Sequence, residues 1–214
     1  MCAGLLLGAQ PAPAAQKQPD QPLFLVARSD LNDPYFWHSV ILMLPFPPDP
    51  LVVGIIVTRP TRIALHDLFP QDQSLQGDTG NAFFGGPVSV RESSIVFRAA
   101  KAPPNSVHLA GNLYLSSDAS LTENLLKDPG QRRTVRLFLG RAQWAPLQLQ
   151  REVLEGSWYR LRAEDSVIFK PDPQSVWRTM LARARPGSLA WYRYPGGGNP
   201  RSILLLTPAS QPSW

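Results

Sequence analysis

Short apolar runs joined by brief polar connections limit the folds open to this chain more than any other feature. Residues 23–27, 39–44 and 51–58 are three such runs, and the third is rich in β-branched side chains. Runs of this length and composition predict buried strands. Two parallel strands need a crossover of about a dozen residues or more, and several connections here are shorter. We therefore predict a single compact α/β (α+β) domain with a mixed, largely antiparallel sheet flanked by helices.

Local patterns place the remaining elements. Further strands are predicted within residues 83–88, where a strand runs into a Gly-Gly-Pro turn, and at 94–98, 107–115, 134–139 and 157–161. Helices are predicted at residues 61–69, from a cap at Asp118 through 127, from 146 to 155 with Gly156 as the stop, and at 174–185 after a cap at Asp172. Pro129 and Gly130 are interpreted as a helix breaker.

The two ends of the chain differ in composition from its middle. Residues 1–22 are rich in Ala, Pro and Gln and are interpreted as a disordered cytoplasmic tail. The alternative is a truncated export signal in residues 1–15, which lack the basic start and long apolar core of a complete one. Residues 23–187 form the predicted domain, and 188–214 form an extension with a candidate hairpin. No stretch approaches the roughly 20 apolar residues of a membrane span.

Charge is uneven along the chain. The net charge is +5, and from residue 130 onward there are 13 Lys and Arg against 5 Asp and Glu. A basic half can attract nucleic acid, although no compact Lys/Arg run appears, and an ordinary solvated surface explains the same charges. The single cysteine, Cys2, excludes an intramolecular disulfide and a cysteine-based zinc site.

Three turn-forming motifs combine into one candidate site. Asn32 and Asp33 precede a proline, Arg59 precedes another, and Gly85 and Gly86 precede a third. In a ligand site, Asp33 would supply a carboxylate, Arg59 a forked guanidinium for anions, and the glycines close access to the backbone. The alternative is a structural turn cluster in which Asp33 caps a helix and pairs with Arg59.

Searches for catalytic and metal motifs give no candidates. The sequence has no Gly-x-Ser-x-Gly elbow, and its three histidines lack metal-ligand spacing. His38 is predicted to be a structural residue within a strand. We therefore predict no catalytic residue, no metal and no cofactor. Three tryptophans fit helix and strand patterns and are predicted to pack in the core rather than to stack on bases: Trp144, Trp158 and Trp177.

An ordered set of motifs resembles the AlgH-like family of bacterial proteins. The matching segments are residues 24–27, 31–36 with 39–40, 54–61, 84–88, 137–158 and 172–177. The resemblance implies a compact α/β domain from a largely uncharacterised family, named for a proposed role in regulating alginate synthesis. It supplies no enzymatic reaction. This chain departs from the usual pattern at five positions: Thr58 in place of Asn, Arg141 and Gln143 in place of Tyr and Gly, Leu147 in place of Gly, and Arg98 near a common His.

Three functional hypotheses follow. The first is a non-enzymatic regulatory or interaction domain, linked to transcriptional regulation, that binds a protein partner in the cytoplasm. The second is direct DNA binding through the basic C-terminal half, which predicts an affinity that falls steeply with salt. The third is an enzyme or binder that acts on a small anionic ligand at Asp33 and Arg59.

Overall fold

The structure is a computed structural model, and it describes residues 22–45, 51–77, 80–145 and 147–184. The sequence predictions for residues 1–21 and 185–214 lie outside these ranges. The strands are β1 Leu23–Ala27, β2 Val40–Met43, β3 Val52–Ile56, β4 Pro60–Ala64, β5 Asn81–Phe84, β6 Val88–Arg98, β7 Val107–Ala110, β8 Leu113–Ser116, β9 Val135–Trp144 and β10 Trp158–Arg162. The helices are α1 Leu65–Leu68, α2 Ala119–Lys127, α3 Pro129–Arg132, α4 Gln148–Leu154, α5 Asp165–Ile168 and α6 Pro173–Arg183.

The strands form one mixed sheet, in which eight follow the order β10-β1-β2-β3-β9-β6-β8-β7, while β4 pairs with β5 and β5 pairs with β9. Within the described ranges every pairing is antiparallel except that of β5 with β9. Short connections dictate this arrangement, since neighbouring strands such as β2 and β3 cannot be joined in parallel without a crossover. The predicted fold class is confirmed.

Strand β9 holds the sheet together because it changes partners along its length. Phe138 and Leu139 pair in parallel with β5, whereas residues 142–144 pair with β3. The change occurs at Gly140, whose φ of 71° lies in the left-handed region. A Cβ at Gly140 would lie 2.3 Å from the carbonyl oxygen of Gly86, so glycine is required both by the backbone conformation and by the close crossing.

Three hydrophobic clusters fill the core. The first packs α5 and α6 onto the sheet, and the second packs α1 and α2. The third, which we call the tryptophan cluster, contains Trp144 and Trp158 and is covered by Phe36, Leu149 and Val153. All three tryptophans predicted to be core residues are buried, and the Trp177 indole N–H donates to the carbonyl of Ala27 at 2.8 Å.

Helix ends follow their local signals. The Asp118 side chain accepts from Leu121 N at 2.7 Å, and Asp172 accepts from Gln174 N at 3.1 Å, as predicted. Gly156, with φ of 83°, ends α4 in a Schellman motif, in which Gly156 N donates to Val153 O and the next amide donates to Glu152 O. Among the described residues, no helix is long and apolar enough to cross a bilayer.

Several predicted elements are wrong. Residues 61–69 form strand β4 and the single-turn helix α1, because pairing with β5 satisfies the backbone of the β-branched stretch. Residues 107–115 form a hairpin, β7 and β8, with Gly111 at φ of 53° in the turn. Pro129 begins α3 instead of breaking a helix, since Asp128 caps that turn by accepting from Gly130 N at 2.8 Å.

Candidate functional site

The connection between β1 and β2 presents an exposed aromatic turn. We call Asn32, Asp33, Tyr35, Trp37, His38 and Arg59 the turn surface. Tyr35 and Trp37 are 50% and 51% exposed, while Phe36 between them turns inward and stacks on Trp144 with ring centroids 5.8 Å apart. Inward packing of Phe36 therefore fixes the turn in place, and its two neighbours face solvent.

Asp33 organises the backbone of this turn. One carboxylate oxygen, Oδ1, accepts from the amides of Tyr35 at 2.8 Å and Phe36 at 3.0 Å, and the Asp33 carbonyl accepts from Trp37 N at 2.9 Å. An aspartate that accepts from amides two and three residues ahead is a common way to build a tight turn. The proline that follows Asp33 restricts the backbone of Asp33 and so favours the same turn.

Arg59 ties the turn to the sheet. Its Nη1 donates to the carbonyl of Tyr35 at 2.6 Å, and its Nη2 donates to that of Trp37 at 3.0 Å. The guanidinium also lies 5.9 Å from the ring centre of Phe84. Partial burial lowers the pKa of Arg59, and the nearby Asp33 carboxylate opposes that shift. The forked donors expected to recognise an anion are thus directed at backbone carbonyls of the protein itself.

Gly85 and Gly86 are buried against β9. A Cβ at Gly85 would lie 2.3 Å from the carbonyl oxygen of Gly140, and one at Gly86 would lie 2.2 Å from Ala142 N. The space that sequence reasoning assigned to a ligand is therefore filled by the backbone of β9. Phe84, which precedes the glycines, connects them to the turn surface, because its amide donates to Arg59 O at 2.8 Å.

His38 is placed differently from its prediction. It lies in the turn and not in a strand, with φ of 51°, and it is exposed. Its ring stacks on Trp177 with centroids 3.8 Å apart and lies 4.7 Å from the ring of Trp37. The turn surface is consequently braced against α6 as well as against the sheet. The apolar run that follows His38 suggested an earlier strand start, whereas β2 begins at Val40.

The structure thus brings Asp33 and Arg59 together, and Asn32 beside Asp33 in the chain is exposed, whereas Gly85 and Gly86 are buried against β9. Sequence reasoning did not single out Tyr35 and Trp37 as surface residues. Their only signal is position, since they flank an inward-facing aromatic residue in a turn.

Glu152 supports the tryptophan cluster behind this surface. Its Oε2 accepts from the indole nitrogens of Trp144 at 3.0 Å and Trp158 at 2.9 Å, and its Oε1 accepts from the Gln148 side chain at 2.9 Å. Buried indole N–H groups require acceptors. The pattern of Trp, Gln, Glu and Trp in residues 144–158 is therefore explained by packing and hydrogen bonding.

The described histidines lie in separate elements. His66 Nε2 lies 3.1 Å from Asp67 Oδ1, and His108 Nε2 lies 2.9 Å from Gly111 O. Across residues 22–45, 51–77, 80–145 and 147–184, no group of three or more His, Cys, Asp or Glu side chains is arranged to hold a metal ion.

Comparison with known proteins shows which family the chain resembles. The AlgH-like family model matches residues 24–187. UPF0301 proteins are similar over most of their length: that of Streptomyces coelicolor is 33% identical over 172 residues, covering 78% of this chain and 86% of the relative. That of Anaeromyxobacter sp. is 34% identical over 174 residues, covering 76% and 86%.

Two solved structures share the fold. A Corynebacterium diphtheriae protein aligns with a TM-score of 0.65 at 24% identity, covering 82% of this chain and 92% of that one. The solution structure of AlgH from Pseudomonas aeruginosa aligns with a TM-score of 0.61 at 19% identity, covering 94% and 100%. The family match covers residues 24–187, well over half of the chain, so this chain belongs to the AlgH-like family.

Proposed function

We propose that this protein is a non-enzymatic interaction domain that binds a protein partner through the turn surface. The observation that carries the proposal is the pair of half-exposed aromatic side chains, Tyr35 and Trp37, on a turn whose carbonyls are both held by Arg59. A transcriptional role would be exerted through that partner.

Physical chemistry favours this use of the turn surface. Tyrosine, tryptophan and arginine are the side chains most enriched among residues that dominate binding energy. A turn braced by Asp33, Arg59 and the His38–Trp177 stack holds its aromatic rings in place before binding. Less conformational entropy is then lost when a partner docks.

The test is partner capture from the native organism with matched variants. Wild type, Trp37→Ala and Tyr35→Ala would be compared by cross-linking and mass spectrometry, with Val107→Ala as the control, since Val107 is 38% exposed on β7. A partner found this way would then be purified and titrated. We expect Trp37→Ala to weaken its binding at least tenfold, or about 1.4 kcal/mol, and Val107→Ala to leave it unchanged. Equal affinities for all variants would refute the proposal.

Direct DNA binding is the competing hypothesis, and it makes a distinct prediction. Two arginines of the basic C-terminal half are engaged in ion pairs: Arg141 with Glu92 at 2.7 Å, and Arg183 with Glu164 at 3.2 Å. DNA binding requires an affinity that falls linearly with the logarithm of salt concentration. A gel shift with that dependence, unaffected by Trp37→Ala, would favour this hypothesis over ours.

The anionic-ligand hypothesis is tested at Arg59. Small anionic metabolites that stabilise wild type but not Arg59→Ala in a thermal-shift screen would support it. We expect no such difference, because both terminal nitrogens of Arg59 donate to backbone carbonyls.

The proposal also places the protein in the cytoplasm. Export would require removal of residues near the N-terminus, which the intact mass of the protein from its native host would reveal.

A further inference from the structure

We draw no further inference here: the strongest candidate, the open cavity between the β7–β8 turn and the start of α5, carries nothing, because the two carboxylates that line it are already ion-paired with Arg98 and Arg183 and nothing else among the described residues that line it selects a ligand.

Discussion

Replacing Arg59 by alanine isolates the contact that holds the turn surface. Its two terminal nitrogens lie 2.6 Å and 3.0 Å from the carbonyl oxygens of Tyr35 and Trp37, and its guanidinium lies 5.9 Å from the Phe84 ring centre. A hydrogen bond from a charged donor contributes about 1.5–3 kcal/mol, and an exposed cation–π contact contributes about 0.5–1 kcal/mol. Because water can reach a half-exposed turn, each hydrogen bond is taken at about 1 kcal/mol. We expect the free energy of unfolding to fall by about 2.5–3 kcal/mol.

Equilibrium unfolding in urea, followed by far-UV circular dichroism, measures this loss. Arg59→Ala should lower the midpoint without changing the slope, because the amount of surface exposed on unfolding is nearly the same. The midpoint of Arg59→Lys should lie between those of wild type and Arg59→Ala, because one ammonium group cannot bridge two carbonyls as the planar guanidinium does. Arg62→Ala is the control: Arg62 is exposed on β4, and surface substitutions usually change stability by less than about 0.5 kcal/mol.

The same variants distinguish the contribution of Arg59 to stability from its effect on partner binding. If Arg59→Ala unfolds within about 0.5 kcal/mol of wild type, the guanidinium does not hold the turn and the reasoning fails. If it remains folded with the expected loss, the turn carbonyls are released and Tyr35 and Trp37 lose their fixed position. Partner affinity should then fall in Arg59→Ala even though both aromatic side chains are still present.

Four further predictions concern other parts of the fold. Glu152→Ala should lower the free energy of unfolding by about 2–4 kcal/mol, because two buried indole N–H groups lose their acceptor; Glu152→Gln retains an acceptor and should lose about half as much in the same urea assay. Gly140→Ala should lower soluble yield and stability by more than about 3 kcal/mol, because its Cβ would overlap the Gly86 carbonyl oxygen at a φ of 71°; a wild-type midpoint would contradict the close crossing. Hydrogen bonds from the Gln131 side chain and the Gly130 amide lower the pKa of Asp128, so its stabilising charge is present above its unfolded pKa of about 3.9 and is lost as pH falls below that value. Thermal midpoints between about pH 5 and pH 2 should therefore drop less in Asp128→Asn than in wild type. Burial lowers the pKa of Arg136 to about 10, and its Nη1 has no hydrogen-bond partner among the described residues, although Nη2 donates to Lys170 O and the guanidinium lies 4.5 Å from the Phe83 ring centre. Arg136→Met removes the desolvated charge together with these contacts and should leave the thermal midpoint close to that of wild type, so a large loss of thermal midpoint would argue against that account.

Local signals predicted much of the fold, and long-range pairing accounts for the failures. The caps at Asp118 and Asp172 and the stop at Gly156 depend on a few neighbouring residues, so sequence alone was sufficient. Taken alone, the sequence of β4 predicts a helix, yet Pro60 pairs with Phe83 and Ala64 with Asn81. Such pairing is invisible to a local pattern because the partner lies about twenty residues away along the chain.

The candidate site shows the same division. Asp33 and Arg59 were expected to lie together, and they do, but the acceptors of Arg59 are carbonyls more than twenty residues away in sequence. No side-chain pattern specifies which backbone carbonyl a guanidinium will reach. The close crossing at Gly85 likewise depends on where β9 passes, and this could not be anticipated from a Gly-Gly-Pro motif.

The departures from the family pattern differ in how the rest of the chain accommodates them. Thr58 Oγ1 accepts from the buried amide of Val40 at 3.1 Å, so its side chain has a structural partner. Arg141 is likewise paired, with Glu92 at 2.7 Å. Leu147 is different, because a strained backbone there presents an exposed side chain. The substitutions with side-chain partners are thus accommodated within the sheet, whereas Leu147 carries its conformational cost on the surface beside α4.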